Sequence, residues 1–187
     1  MSQSASLKNQ LLIAMPSLED PNFSRTVTFI CEHSVDGAMG IVLNRPTDLS
    51  LADVLKHMDI EGEPGNAGRQ MVFLGGPVEE ERGFVLHSHT APWDSTLVVN
   101  ENISVTTSRD ILEAMARGDG PDQTLVALGY AGWGAGQLER ELQENAWLSG
   151  PADRSILFEL PPEQRWEAAA RLLGVDVNLL SSEAGHA

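Results

Sequence analysis

Cysteine is almost missing from this sequence: Cys31 is the only one among 187 residues. One cysteine cannot form a disulfide within the chain, and such scarcity is typical of proteins that fold in a reducing compartment. Long apolar runs are missing too, since none reaches the roughly 18 residues that a membrane-spanning helix needs. The start, MSQSASLKNQLLIAMP, lacks the charged, apolar and cleavage regions of a secretory signal. We therefore expect a soluble, cytoplasmic protein that does not enter a membrane.

Basic side chains are scarce as well. The chain has 12 Lys and Arg residues against 27 Asp and Glu residues, which gives a net charge of −15. Its only lysines are Lys8 and Lys56, and its arginines are scattered among acidic neighbours. Binding to nucleic acid draws its affinity from clustered cations, and no paired-helix pattern with a basic second helix is present. We expect no direct contact with nucleic acid, so any control of transcription would be indirect.

Composition and organisation indicate one domain. The hydrophobic fraction is 42%, and a chain of this length buries about 70% of its unfolded surface in a single core. No internal repeat, low-complexity run or linker divides residues 1–187. Predicted strands outnumber predicted helices, and the early strands are joined by hairpin-length loops, which favours an antiparallel sheet in an α+β fold.

The most distinctive stretch is LVALGYAGWGAGQLERELQENAWL, residues 125–148. Its apolar start predicts a buried strand, and the four glycines that follow predict a glycine-rich turn before a helix begins at Gln137. A phosphate site at that turn is disfavoured because no G-x-x-x-x-G-K-[ST] motif is present. Glu139 and Glu141 also place negative charge near the helix start, where a phosphate would bind.

A β-hairpin is predicted for residues 26–33 and 38–44, around the turn-forming dipeptide Asp36-Gly37. A two-residue loop there sets the register by counting back from the turn. The predicted pairs are Val35 with Ala38, His33 with Gly40, Cys31 with Val42, and Phe29 with Asn44. Because glycine has no side chain, this register predicts open space beside the His33 imidazole, on the same face as Cys31 and Asn44.

The remaining elements follow from local signals. Further strands are predicted at residues 11–15, 71–74, 83–88, 96–99, 103–106 and 156–160, with an acidic turn at 79–81 and a loop at 151–155. Ser50 with Asp53, and Thr107 with Asp110, each predict a capped helix start. A last helix is expected to begin near Pro162 and to end at Gly174.

Several strings resemble the YqgE/AlgH family of bacterial proteins, also called UPF0301. They include LGYAGW with QLERELQENAWL, LLIAMPSLEDPNFSRTV, CEHSVDGAMGIVLNRP, FLGGPVEEERGFVLH and TTSRDILEAMARG. The resemblance implies a cytoplasmic α+β domain, in which a mostly antiparallel, split sheet curls into a pseudo-barrel with several helices packed outside. It implies no settled activity, although one branch carries a name that links it to control of alginate production.

A binding or regulatory domain is the leading functional hypothesis, with a small molecule or a protein partner recognised in a cleft of the pseudo-barrel and no cofactor. Arg82 could bind a carboxylate or phosphate, but in so acidic a stretch pairing with its neighbours at 79–81 is favoured. The candidate walls of the cleft are polar residues at strand ends and beside the glycine-rich stretch: His33, Asn44, Arg45, Arg82, His87, Tyr130 and Gln137.

An enzyme is the alternative, with His33 or His87 as the acid–base residue and Glu32 or Glu141 as its carboxylate partner. His87 and His89 lie two apart in a strand and could share a metal with Asp94, although a metal is not expected. The lone Cys31 is expected to be a small buried hydrophobe. A third possibility is docking in an assembly through tryptophan side chains: Trp93, Trp133 or Trp147.

Overall fold

The structure, a computed structural model, describes residues 6–88 and 93–177. Within these residues the strands are β1 (Gln10–Ala14), β2 (Val27–Ser34), β3 (Gly37–Val42), β4 (Pro46–Ser50), β5 (Met71–Leu74), β6 (Val78–Ser88), β7 (Thr96–Asn100), β8 (Ile103–Thr106), β9 (Thr124–Gly134) and β10 (Trp147–Pro151). The α-helices are α1 (Leu51–His57), α2 (Arg109–Ala116), α3 (Gln137–Gln143) and α4 (Pro162–Leu172). Short 3₁₀ and π turns occupy Gly65–Arg69 and Ser155–Glu159.

The strands form one curled half-barrel in the order β10-β1-β2-β3-β9-β6-β8-β7, and β4 and β5 branch from β9. Pairing is antiparallel except between β5 and β9, among the residues described. This confirms the predicted α+β class and the mostly antiparallel, curled sheet. No helix in the described ranges has the length and apolar character needed to cross a bilayer.

Strand β9 is central to the sheet, because it pairs with β3, β5 and β6. The predicted glycine-rich turn is shorter than expected: the strand continues through Gly129 and Gly132 to Gly134, and only Ala135 and Gly136 form the turn. The helix begins at Gln137, as predicted. Gly129 allows a close backbone approach, because a Cβ there would lie 2.5 Å from the carbonyl oxygen of Gly76. Gly129 also has a φ of 77°, a conformation that glycine adopts without strain.

The β2–β3 hairpin is present, but its predicted register is wrong. His33 pairs with Ala38, and Gly40 lies opposite Ile30. The register shifts between Ile30 and Glu32, so Cys31 is the extra residue of a β-bulge. The open space predicted between Gly40 and His33 is therefore absent, because Gly40 is not opposite His33. The space above Gly40 is filled by Thr28, whose side chain would lie 2.8 Å from a Cβ at that position.

The segment after α3 differs most from its prediction. β10 forms where only an apolar anchor and a loop were expected, and residues 156–160, predicted as a strand, lie in and after a π turn. Asp153 starts that turn, because its Oδ1 accepts hydrogen bonds from the backbone N–H groups of Ser155 and Ile156 at 2.9 and 3.2 Å. The apolar run therefore buries Ile156 and Leu157 as a helical turn.

Other local predictions stand with small changes. Ser50 and Asp53 form the expected capping box at α1, and α4 begins at Pro162. The N-cap of α2 is Ser108 instead of Thr107, and its side chain does not cap the backbone. The predicted acidic turn at 79–81 lies within β6, at an irregularity between Val78 and Gly83.

Three buried clusters hold these elements together. The largest fills the half-barrel around Phe29, Leu86 and Trp166. A second joins α1 and α2 to the sheet through residues such as Leu55 and Ile111. The third lies under α3: Leu12, Ala14, Ile30, Ala131, Trp133, Leu138 and Trp147. The second cluster sets the spacing of α1 and α2 above β6, where the principal cavity lies.

Candidate functional site

A cavity of about 820 Å³ lies between α1, α2 and β6. Its apolar lining consists of Leu49, Val54, Met58, Val85, Leu112 and Leu128. Its polar rim consists of Asp53, His57, Glu80, Glu81, Arg82, Thr107, Ser108 and Arg109, and the buried Thr106 is also part of the lining. This volume and this combination of an apolar floor with a few polar groups are typical of sites for small molecules. We refer to it below as the α1–α2 cavity.

The capping box fixes the wall formed by α1. The backbone N–H of Ser50 donates to Asp53 Oδ2 at 2.9 Å, and the N–H of Asp53 donates to Ser50 Oγ at 3.2 Å. Hydrogen bonds from the backbone and then the side chain of Ser50 hold the pKa of Asp53 below its ordinary value. The defined helix start directs Val54 towards the cavity and towards the second buried cluster.

Arg82 stands on the cavity rim. Its Nη1 lies 3.5 Å from Glu79 Oε2, and its Nη2 donates to Thr107 Oγ1 at 3.4 Å. The guanidinium also lies 5.5 Å from the centre of the Phe84 ring. About half of the Arg82 side chain is exposed, and ion pairs as exposed as this one contribute little to stability. Arg82 can therefore leave Glu79 and bind an anion in the cavity with only a small loss of free energy from the broken ion pair.

Arg109 supplies the second cation of the rim. Its Nε lies 3.5 Å from Glu113 Oε2, and its Nη2 donates to the carbonyl oxygen of Asp59 at 3.5 Å. Its side chain is about half exposed. Three carboxylates share the same rim: Asp53, Glu80 and Glu81. The two arginines therefore offer an anion site in surroundings that disfavour a second negative charge.

Asp110 fastens the segment before β7 to the start of α2, beside the cavity. Its Oδ2 accepts the backbone N–H of Asp94 at 2.8 Å, and its Oδ1 accepts the hydroxyl of Ser108. Burial alone would raise the pKa of Asp110, but the hydrogen bonds from Ser108 and Asp94 outweigh it and hold the pKa below the ordinary value of 3.8. The carboxylate is therefore favoured by folding.

Asp110→Asn is expected to remove part of the pH dependence of stability. A carboxyl group with a lower pKa in the folded state stabilises the fold above its unfolded-state pKa, and that stabilisation disappears as the pH falls through the folded-state pKa. The gap in free energy of unfolding between wild type and Asp110→Asn should thus be widest above pH 4 and should narrow below it. Urea unfolding across this range measures the gap. Asp119→Asn is the control, because Asp119 is largely exposed; a gap of equal pH dependence there would contradict the assignment.

A second, more open groove of about 610 Å³ lies on the other side of Arg82. Arg82 and Tyr130 both line it, and the Tyr130 ring meets Phe84 edge-on at 5.6 Å. Its acidic side chains are Glu32, Asp36 and Glu79. The groove brings three of the predicted wall residues together, since His33 lines it beside Arg82 and Tyr130. It carries less apolar surface than the α1–α2 cavity.

His33 joins the N-terminal segment to α3. The backbone N–H of Leu7 donates to its Nδ1 at 2.8 Å, so the proton of the neutral ring is on Nε2, which donates to Glu139 Oε2 at 3.1 Å. Its side chain is only 4% exposed. Both nitrogens are engaged in holding the structure, which argues against the acid–base role considered for this residue.

His87 was expected in the cleft wall, and the structure contradicts this because its exposed fraction is 0%. Its Nδ1 donates to the carbonyl oxygen of Ser88 at 2.8 Å, and its Nε2 accepts from Thr106 Oγ1 at 2.7 Å. His89, the second ligand of the metal hypothesis, lies outside the described residues. Within residues 6–88 and 93–177, no cluster of three His, Cys, Asp or Glu side chains is arranged to hold a metal ion.

The other predicted wall residues bind backbone instead of lining either depression. Asn44 Oδ1 accepts from the N–H of Val27 at 3.0 Å, and its Nδ2 donates to the carbonyl oxygen of Arg25 at 2.9 Å. Arg45 donates to the carbonyl oxygens of two residues in the preceding loop, Pro21 and Ser24. Burial lowers the pKa of Arg45 below its ordinary value.

Gln137 belongs to an aromatic cluster built by the most distinctive stretch. Glu141 Oε1 accepts the indole N–H groups of Trp133 at 3.1 Å and Trp147 at 2.9 Å, and its Oε2 accepts from Gln137 Nε2 at 2.8 Å. Phe23 packs against both indoles. Trp133 and Trp147 are buried, so neither provides an exposed docking surface. We call these residues the Glu141 cluster, and its role is structural.

Sequence reasoning therefore found Arg82 but missed most of the α1–α2 cavity. His57, Thr107 and Arg109 carry no distinctive spacing, and they meet at the rim only because α1 and α2 share one buried cluster on the sheet. The apolar residues of the two helices, such as Val54, Met58 and Leu112, were the available signal. Part of that apolar surface is the cavity floor.

Comparisons with known proteins are consistent along the whole chain. The family model described as AlgH-like matches residues 11–178. A UPF0301 protein of Thioalkalivibrio sulfidiphilus is 63% identical over 187 residues, which cover 100% of both chains. A UPF0301 protein of Nitrosococcus oceani is 58% identical over 180 residues, 96% of each chain.

Two solved structures are similar to this one. The solution structure of the AlgH protein from Pseudomonas aeruginosa has a TM-score of 0.80 and 51% identity, with 100% of both chains covered. A crystal structure of a Corynebacterium diphtheriae protein has a TM-score of 0.75 over 97% of this chain and 94% of that one. Its identity is 21%, so this second likeness concerns the fold alone.

Proposed function

This chain belongs to the AlgH-like family, and we propose that it is a binding domain that holds a small amphipathic molecule with one acidic group in the α1–α2 cavity. The observation that supports this most is the cavity itself, with about 820 Å³ of space, an apolar floor and two arginines on its rim. Sites of this size and composition accommodate small molecules.

The ligand's apolar body lies on the floor formed by Val85, Leu112 and Leu128. Its acidic group reaches Arg82 and Arg109, which exchange exposed pairings with Glu79 and Glu113 for the ligand. The rim carboxylates repel ligands with several negative charges. The cavity thus selects for one acidic group on an apolar body.

Binding is favoured over catalysis because the catalytic alternative depended on His33 and His87. Every ring nitrogen of these two residues is hydrogen-bonded within the fold.

In the proposed regulatory role, occupancy of the cavity is communicated to a protein partner, without direct contact with nucleic acid. The net charge of −15 supports that exclusion. We place this activity in the cytoplasm, which suits a chain whose single thiol, Cys31, is buried with a raised pKa because of that burial.

Leu49→Glu is expected to weaken binding of 1-anilinonaphthalene-8-sulfonate (ANS), a fluorescent probe with an apolar body and one sulfonate. Leu49 is 42% exposed at the cavity rim, so a carboxylate there should be tolerated by the fold. The new carboxylate would repel the sulfonate and interrupt the apolar wall. We expect Kd to rise about tenfold, which corresponds to a loss of about 1.4 kcal/mol of binding free energy. Fluorescence titration of the folded protein measures this change.

The matched control is Leu172→Glu. Leu172 is 49% exposed, is not part of the cavity lining, and receives the same substitution. Arg82→Gln with Arg109→Gln should also weaken ANS binding, whereas Arg140→Gln, at an exposed ion pair on α3, should not. Equal affinities for the Leu49 and Leu172 variants, or no saturable ANS binding by the wild type, would contradict the proposal.

A further inference from the structure

Arg165 is a buried cation without an ionic partner. Its exposed fraction is 5%, and no carboxylate among residues 6–88 and 93–177 forms an ion pair with it. Its Nε donates to the carbonyl oxygen of Leu160 at 2.9 Å, and its Nη1 donates to that of Leu43 at 2.8 Å. These neutral acceptors fix the guanidinium without compensating its charge.

A charge buried without compensation is unfavourable, and proteins ordinarily pair it or neutralise it. Burial lowers the pKa of Arg165 to about 10, so the side chain remains charged near neutral pH. The third nitrogen, Nη2, donates to none of the described residues. In the same part of the chain, the buried side-chain nitrogen and oxygen atoms without a hydrogen-bond partner are Thr28 Oγ1 and Trp93 Nε1. Nη2 of Arg165 has no partner and is not one of these buried atoms, so it is accessible.

Arg165 lines a pocket of about 450 Å³ formed by β5, the π turn and the start of α4. Phe73, Phe158 and Leu160 contribute apolar walls, and the guanidinium lies 5.1 Å from the centre of the Phe73 ring. None of the residues that line this pocket lines the α1–α2 cavity. An experiment can therefore contradict ligand binding at one of these two sites without contradicting it at the other.

We propose that this pocket binds a small monocarboxylate with an apolar body, and that one carboxylate oxygen accepts a hydrogen bond from Nη2 of Arg165. The volume accommodates a ligand about the size of one aromatic ring with a short substituent. Glu159 and Glu163 line the same pocket and repel a dianion such as phosphate. Because its carbonyl partners already hold the guanidinium, little side-chain entropy is lost on binding.

The test compares benzoate with benzamide, its uncharged isostere, in NMR titrations of the full chain. The resonance of the Arg165 Nε–Hε group and the backbone amides of β5 and α4 report on the pocket. Benzoate is expected to bind saturably and to shift these signals, and benzamide to bind at least tenfold more weakly. Equal affinity for the two probes, or benzoate shifts that leave Arg165 and the pocket unchanged, would overturn the proposal.

Substitution of Arg165 itself risks unfolding, so the variants are made at Met71. Met71 lines the pocket and is 47% exposed. Met71→Glu adds a carboxylate to the wall that competes for Arg165, and is expected to weaken benzoate binding at least tenfold. Met71→Gln is its uncharged match and should keep the affinity within about twofold of the wild type. An unchanged affinity in Met71→Glu would contradict a role for Arg165 in binding the anion.

Discussion

Replacement of Gly129 by alanine is expected to lower the free energy of unfolding by about 4 kcal/mol, or to prevent folding. A Cβ at this position would lie 2.5 Å from the carbonyl oxygen of Gly76 and 3.0 Å from that of Val78. Both neighbours are backbone atoms, one in the connection between β5 and β6 and one at the start of β6, which pairs with β9, so neither can move without disturbing the sheet. Urea unfolding followed by far-UV circular dichroism measures the loss.

Gly136→Ala separates this steric conflict from backbone strain. Gly136 has a φ of 74°, almost the same as the 77° of Gly129, but a Cβ there meets nothing within 4 Å. The control should therefore lose only about 1–2 kcal/mol, which is the cost of a left-handed conformation for alanine. Equal losses of stability at the two positions would show that backbone strain alone accounts for the effect. That result would contradict the role of Gly129 in the close approach of two backbone segments.

Glu141→Ala is expected to destabilise the protein by about 3 kcal/mol. The substitution removes the shared acceptor of two indole N–H groups and of the Gln137 amide. A buried donor left without an acceptor costs about 1–3 kcal/mol, and hydrogen bonds to charged groups are stronger than neutral ones. Chemical unfolding followed by tryptophan fluorescence measures both the stability and the environment of Trp133 and Trp147.

Glu144→Ala is the matched control on the same segment. Glu144 is the C-cap residue of α3, and its side chain is 64% exposed and 4.0 Å from Arg140. Exposed substitutions of this kind change stability by at most about 0.5 kcal/mol. If the two variants lost similar stability, the Glu141 cluster would not have the structural role assigned to it.

Local signals predicted the elements whose causes are local. Ser50 and Asp53 supply the whole capping box of α1, and Pro162 is pre-organised for the start of α4. The run at residues 156–160 was ambiguous, because a short apolar segment fits a strand or a helical turn equally well. Asp153 decided between them through hydrogen bonds that the apolar pattern does not contain.

Features that depend on distant strands were not predictable in this way. Gly129 was interpreted as part of a turn, because the requirement for glycine there comes from the backbone of Gly76 and Val78, about fifty residues earlier in the chain. The hairpin turn closes one residue earlier than predicted, with Ser34 opposite Gly37, so His33 pairs with Ala38 and its side chain meets Glu139 of α3. Farther from the turn, the bulge at Cys31 inserts one residue and shifts the register again from Ile30 onwards, so counting from the predicted turn could not succeed.

The candidate site likewise contains residues with local sequence signals and residues that only the folded chain brings together. Arg82 was identifiable, and its predicted pairing within the acidic stretch is confirmed at Glu79. Arg109 and His57 reach the rim only because α1 and α2 pack on the same part of the sheet, and the sequence has no spacing rule for that arrangement. His87 attracted attention as a titratable residue, yet its environment is a satisfied polar position in the interior.

The most direct test of the α1–α2 cavity as the ligand site is a two-dimensional ¹H–¹⁵N NMR titration of the wild-type chain with ANS. The proposal predicts saturable shifts of backbone amides in α1, at the start of α2, and in β6 around Arg82 and Val85, where the cavity walls lie. Shifts confined to the open groove at Tyr130 or to the Glu141 cluster, or the lack of any saturable response, would contradict it.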